Sequence, residues 1–150
     1  MMTLSSWVDN GWLKAHRSSP EEVGALLAAA DADLIDAQTD GLSPAWAFNI
    51  AYNAALHLCT SVLAAAGFRA ERDAKHYRTI AALPLVIGDA ARDSAAFLDT
   101  CRTMRNDVTY EGVRVISRTE ADELVTAVRE LRQEVAEWLE RTRRTELDGN

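Results

Sequence analysis

Only three prolines and seven glycines occur in 150 residues. The residues that interrupt helices are therefore scarce, and long helices are permitted. The chain also lacks stretches in which β-branched or aromatic residues alternate with polar ones, so half-buried strands are not expected. Cysteine is limited to Cys59 and Cys101. Both fall inside helical patterns, which suits buried free thiols better than a disulfide framework. No Cys/His spacing suits zinc, and no Glu-x-x-His occurs, so neither a zinc site nor a di-iron bundle site is expected. No cofactor is expected either. The N-terminus has no basic region followed by an apolar run, so no secretory signal is read there and a cytoplasmic location is expected.

What is present is alanine-rich apolar sequence, 48% of residues being hydrophobic. Alanine is the best helix former and lets helix axes approach closely. The length fits one domain with a core of its own. The expected fold is all-α, an up-and-down helical bundle of four to five helices.

The net charge is −7. An acidic chain is a poor general polyanion binder, because affinity for phosphate backbones comes from Lys and Arg. The charge is uneven, however. Glu21, Glu22, Asp31, Asp33, Asp36 and Asp40 have no basic residue among them, whereas residues 69 to 78 and 101 to 118 each carry a surplus of two positive charges. An anion would be met in those two stretches.

Residues 1 to 18 read as an N-terminal segment, a short helix around Trp7, Val8 and Trp12 or partly loose. The domain proper spans 19 to 142. Ser19 and Pro20 open a helix, with Glu22 completing a capping box, and Val23, Leu27, Ala30, Leu34 and Ala37 recur at helical spacing. Ser43 and Pro44 open a second helix, running to about Ala66 with Gly67 as its stop. From Gly41 through Phe68 no residue is charged. Asn49, Asn53, His57, Thr60 and Ser61 interrupt that run, so it reads as a central helix enclosed by others, not as a membrane span. A third helix covers about 74 to 87, bent or broken at Pro84. A fourth runs from about 90 to 109 with Phe97, Cys101, Met104 and Val108 on its buried face. Ser117 and Glu120 form a capping box for a fifth, whose seam is Leu124, Val128, Leu131, Val135 and Trp138. Residues 143 to 150 read as a frayed tail.

Three polar sets carry the candidate chemistry. Arg102, Arg105, Asn106 and Thr109 share a stripe beside the apolar face of the fourth helix. Planar guanidinium groups there suit phosphate oxygens; the structural alternative is that Arg102 pairs with Asp99 or Asn106 and Arg105 with an acidic residue of the first long helix. Asn49, Asn53 and His57 repeat every four residues on the central helix. They either satisfy one another and nearby backbone or line a cleft facing the arginines. Lys75, His76, Tyr77 and Arg78 open the third helix after a basic loop, with His76 the most accessible histidine.

In order, "LSPAWAFNIAYNAALHL", "AAGFRAERDAKHYRTIAALPLVIG" and "DTCRTMRNDVTYEG" make residues 20 to 140 resemble the HEPN superfamily (higher eukaryotes and prokaryotes nucleotide-binding domain), and more narrowly bacterial stand-alone HEPN proteins of this length. The resemblance implies an RNA- or nucleotide-binding helical bundle of a toxin–antitoxin or defence system. It also implies a homodimer and, in catalytic members, a metal-independent ribonuclease. It assigns Arg105 to the family's motif arginine and Asn106 to the polar position after it, with Tyr110 where the motif histidine is expected. Arg102, His76, Asn53 and His57 are then candidate substrate contacts. A tyrosine of ordinary pKa, about 10, is a poor general base near neutral pH, so the departure weakens the chemistry more than the site. The other reading is a non-catalytic dimerisation or partner-binding module, accessory to a nucleotidyltransferase or an antitoxin.

Overall fold

The structure, a computed structural model, describes residues 2–111 and 115–148, the side chains of 107–111 and 148 excepted. Its elements are α1 (Leu4–Asp9), β1 (Leu13–Ala15), α2 (Pro20–Ala37), α3 (Pro44–Ala65), β2 (Phe68–Ala70), α4 (Lys75–Ala81), α5 (Leu83–Ile87), a 3-10 turn (Asp89–Ala91), α6 (Arg92–Glu111) and α7 (Arg118–Asp148). The fold is an all-α helical bundle carrying one small sheet.

Local chemistry starts the helices. Ser19 Oγ accepts from the Glu22 N–H and Ser43 Oγ from the Trp46 N–H, with Pro20 and Pro44 at the first helical positions. The capping box expected at Ser19 is only half made. The Glu22 carboxylate turns instead to His16, 2.8 Å from its Nε2. At α7 the box is complete: Ser117 Oγ accepts from the Glu120 N–H and Glu120 Oε1 from the Ser117 N–H. The predicted third helix is two short ones, α4 and α5, separated at Ala82 with Pro84 in the first turn of α5.

α3 is the centre. Its alanines Ala47, Ala51, Ala54 and Ala55 are buried together with Phe48, Tyr52, Leu58, Cys59 and Val62. Ala30 and Leu34 of α2 and Leu124, Val128, Leu131 and Val135 of α7 complete this core. α2 and α3 form a helical hairpin across the 38–43 turn. Arg118 donates to the Leu42 carbonyl and Arg132 to Asp31, so α7 starts at that turn and runs along both helices. Among the described side chains of α6 the buried ones are Ala95, Leu98 and Cys101. Phe97 and Met104, expected there, are half-buried, and the Val108 side chain lies outside the described residues. Burial pushes the thiols of Cys59 and Cys101 up to about 12, with Glu120 and Glu123 adding to the effect at Cys101. Both are protonated and inert at neutral pH.

Two features depart from the expected all-helical order. β1 and β2 pair antiparallel, Leu13 opposite Ala70, Lys14 opposite Arg69 and Ala15 opposite Phe68. Gly67 ends α3 as expected, at φ +96°, a conformation open to glycine without strain, and the chain then enters the strand. The first 18 residues are thereby tied down. Trp7, Leu13, Leu63, Ala70 and Ala82 form a second buried cluster. Residues 143–148 also continue α7 where a frayed tail is expected. Glu140 bridges to Arg143 and Arg144, one turn on, which supports the helix there.

Among the described residues no helix is long and apolar enough to cross a membrane. Trp7→Ala should empty much of the second cluster and cost about 3 kcal/mol. At this chain length that corresponds to a fall of about 8 °C in Tm, readable by circular dichroism. A melting curve unchanged by the substitution would show that the N-terminal segment is not part of the cooperative unit.

Candidate functional site

The two basic stretches of the sequence meet across the α4–α6 contact. α4 presents Lys75, His76 and Tyr77, and α6 presents Arg102, Arg105 and Asn106. Between them lies an open cleft of about 340 Å³ lined by Arg72, Ala74, Lys75, His76, Tyr77, Arg102 and Asn106. Ala74, immediately before α4, sits at φ +54°. An L-residue in the left-handed region is strained by about 1 kcal/mol or more. This is the one non-glycine residue with positive φ among those described, and it lies on the cleft wall.

The arginines differ in their state. Arg102 Nε donates to Asp99 Oδ1 at 2.8 Å, the structural pairing read as the alternative above. Its two Nη groups have no hydrogen-bond partner among the described residues, and its guanidinium carbon lies 5.5 Å from the Tyr77 ring centroid. Arg105 makes no ion pair among the described residues, so the bridge to the first long helix is not found. Its guanidinium carbon instead lies 5.1 Å over the ring of Tyr52. Arg105 is half-buried and does not line the mouth of the cleft. Stacking on an aromatic face leaves its N–H fork able to accept an anion.

His76 joins this cluster through Tyr52, ring centroids 6.5 Å apart. Its pKa is lowered, first by desolvation and then by the charges of Arg105, Lys75 and Arg102. The imidazole is therefore neutral at pH 7 and free to accept a proton. Tyr52, fully buried on α3, has a hydroxyl with no hydrogen-bond partner among the described residues. Burial raises its pKa to about 12, against the opposing pull of Arg105 and Arg102. It stays a neutral phenol, a platform for Arg105 and not a base.

Two expected site residues lie elsewhere. Asn53 Nδ2 donates to Asp33 Oδ2 at 3.1 Å, and His57 Nδ1 lies 3.0 Å from the same oxygen. Both side chains thus face α2, and neither lines the cleft. The fourfold repeat correctly puts them on one stripe, but that stripe satisfies an acidic residue of the neighbouring helix. Tyr110 falls in the last turn of α6, and its side chain lies outside the described residues. Lys75 and Tyr77 belong to the third polar set, with only His76 of that set expected as a substrate contact, and Arg72 and Tyr52 were not expected at the site. The basic loop is a visible signal for Arg72 and Lys75. Tyr52 gives none, because an aromatic in an uncharged helix reads as core. Among the described residues no group of three His, Cys, Asp or Glu side chains could hold a metal ion.

No family model, no curated protein and no solved structure matches the chain.

The electrostatic coupling is measurable. In an NMR titration of the three histidines, His76 should titrate below the ordinary 6.5, and Arg105→Gln should move its midpoint upward without restoring it fully, since desolvation is the larger cause. An unmoved His76 midpoint would mean that the two side chains do not sense one another.

Proposed function

We propose that the α4–α6 cleft binds the phosphate of single-stranded RNA or a nucleotide, and that the chain is a HEPN-like RNA-binding domain with a latent metal-independent ribonuclease centre. The observation that carries the reading is geometric: His76, Lys75, Tyr77 and Arg102 line one cleft, with Arg105 over the ring of Tyr52 beside it. Guanidinium groups suit phosphate oxygens, the half-exposed Tyr77 ring suits a base, and a proton acceptor lies among them. The sequence resemblance of residues 20 to 140 supports the same reading independently.

In this reading His76 takes the role that Tyr110 is ill suited to fill. His76 removes the proton of the ribose 2′-hydroxyl, and the 2′-oxygen bonds to phosphorus. The bond from phosphorus to the 5′-oxygen breaks, and that oxygen takes a proton from solvent. The products carry a 2′,3′-cyclic phosphate and a 5′-hydroxyl. Arg102 and Arg105 stabilise the charge that gathers on the phosphoryl oxygens. The base works while unprotonated, so the rate falls as pH drops through the lowered His76 pKa, and the acid limb lies below 6.5.

Purified protein incubated with single-stranded RNA in chelator tests this. Arg105→Ala should reduce cleavage by about 10²-fold and weaken RNA binding, whereas His76→Ala should reduce cleavage by a similar factor with binding largely kept. Wild type and Arg105→Ala that neither bind nor cleave RNA differently would end the proposal. Binding that is lost with Arg105→Ala, without cleavage by wild type, would leave an RNA-binding module.

Assembly as a homodimer, or on a nucleotidyltransferase or antitoxin, has separate support. Ile35, Trp46 and Val115 are 72%, 63% and 86% exposed, and all three belong to the end of the bundle where α2 turns into α3 and α7 begins. Exposed apolar side chains gathered at one end suit a partner surface. Trp46→Ser should shift the sedimentation equilibrium of the pure protein toward monomer. A wild-type protein that sediments as a monomer at all concentrations would remove the homodimer.

A further inference from the structure

A larger cavity, about 530 Å³, lies beside the cleft, between the β1–β2 sheet, α3 and the first turns of α2. Its apolar floor includes Leu26, Leu63 and Phe68, and its polar wall carries Lys14, Arg69, Arg72 and Lys75. Glu22 and Glu71 also line it, but the Glu22 carboxylate is engaged by His16. None of the four cations has an ion-pair partner among the described residues. Arg72 and Lys75 line both this cavity and the α4–α6 cleft, so the two are adjoining compartments of one basic channel.

The sheet itself carries a second, independent sign. Lys14 and Arg69 are directly opposite in the β1–β2 register, so their side chains leave the same face, and both reach the cavity. Like charges directly opposite across strands destabilise a sheet. A sheet of two three-residue strands has little stability to give away. Neither Lys14 nor Arg69 makes an ion pair among the described residues, although Glu71 also lines the cavity, so an outside anion would relieve this local conflict.

We propose that this cavity is a second nucleotide subsite. Its apolar floor receives a base and the Lys14–Arg69 pair receives the attached phosphate, so the ligand is a single-stranded RNA of at least two nucleotides bridging cavity and cleft over Arg72 and Lys75. This rests on the RNA-binding reading of the cleft and adds the minimal length of its ligand. The volume lies within the range of small-ligand pockets and suits one nucleotide.

Two ligands and three variants test it by calorimetry at one fixed salt concentration: uridine monophosphate, the 5′-phosphorylated uridine dinucleotide with a 2′-deoxy first residue, Lys14→Thr, Arg69→Thr and Arg105→Ala. Lys14 and Arg69 are exposed strand residues, and threonine keeps the strand preference. The dinucleotide should bind wild type at least about tenfold tighter than the mononucleotide, and Lys14→Thr and Arg69→Thr should each remove about that factor for the dinucleotide while weakening the mononucleotide by much less, since a single nucleotide keeps the cleft as its other seat. Arg105→Ala should weaken both ligands. Lys14→Thr should also raise the Tm of the free protein by about 2 °C, opposite in sign to its effect on binding. If Arg105→Ala weakens both ligands and the strand variants change neither, or change both equally, the second subsite is overturned and the cleft stands. If wild type binds neither ligand, the cleft reading and the subsite fall together.

Discussion

The fold depends on one constraint, the enclosure of an uncharged helix. α3 carries no Asp, Glu, Lys or Arg to present to water, so its surface is buried against neighbours, and its alanines let those neighbours approach closely. Burial of that surface brings α2 to one flank and α7 to another, and leaves the α4–α6 pair on the side of Tyr52. The polar residues of α3 are satisfied according to the neighbour they meet. Asn53 and His57 meet Asp33, whereas Tyr52 meets Arg105, and its hydroxyl has no hydrogen-bond partner among the described residues.

Charge is sorted by the same packing. In the acidic α2, Asp31 is bridged by Arg132 and Asp33 holds Asn53 and His57, so part of the negative charge is spent on internal contacts. The positive surplus is handled differently. Lys14, Arg69, Arg72, Lys75 and Arg105 come from three separate segments and make no ion pair among the described residues. A chain with a net charge of −7 thus keeps a local field of opposite sign, focused by the walls of a cavity and a cleft.

Much of the bundle is legible from residues alone because its signals are local. Ser19, Ser43 and Ser117 announce helix starts by hydrogen bonds that reach three residues, and Gly67 and Pro84 mark breaks by conformational limits of their own. The sheet is not legible, since three-residue strands are too short to show a period and their pairing joins distant parts of the chain. The site is half legible. Arg102, Arg105 and Asn106 share a stripe by helix geometry, and the basic character of residues 69 to 78 is plain. That His76 meets those arginines while His57 does not depends on which neighbour each helix face acquires, and that is settled by tertiary packing.

Arg78 joins the N-terminal segment to the site. Its guanidinium carbon lies 4.0 Å over the Trp12 ring and 5.8 Å from that of Tyr77, and Trp12 in turn meets Trp7 edge to face at 5.4 Å. α4 is therefore braced from behind by a column of stacked rings and one cation that begins in α1. The opening helix acts as a buttress for the wall that carries His76. Indole emission from that column should therefore report how α4 is seated, and through it any ligand of the proposed basic channel.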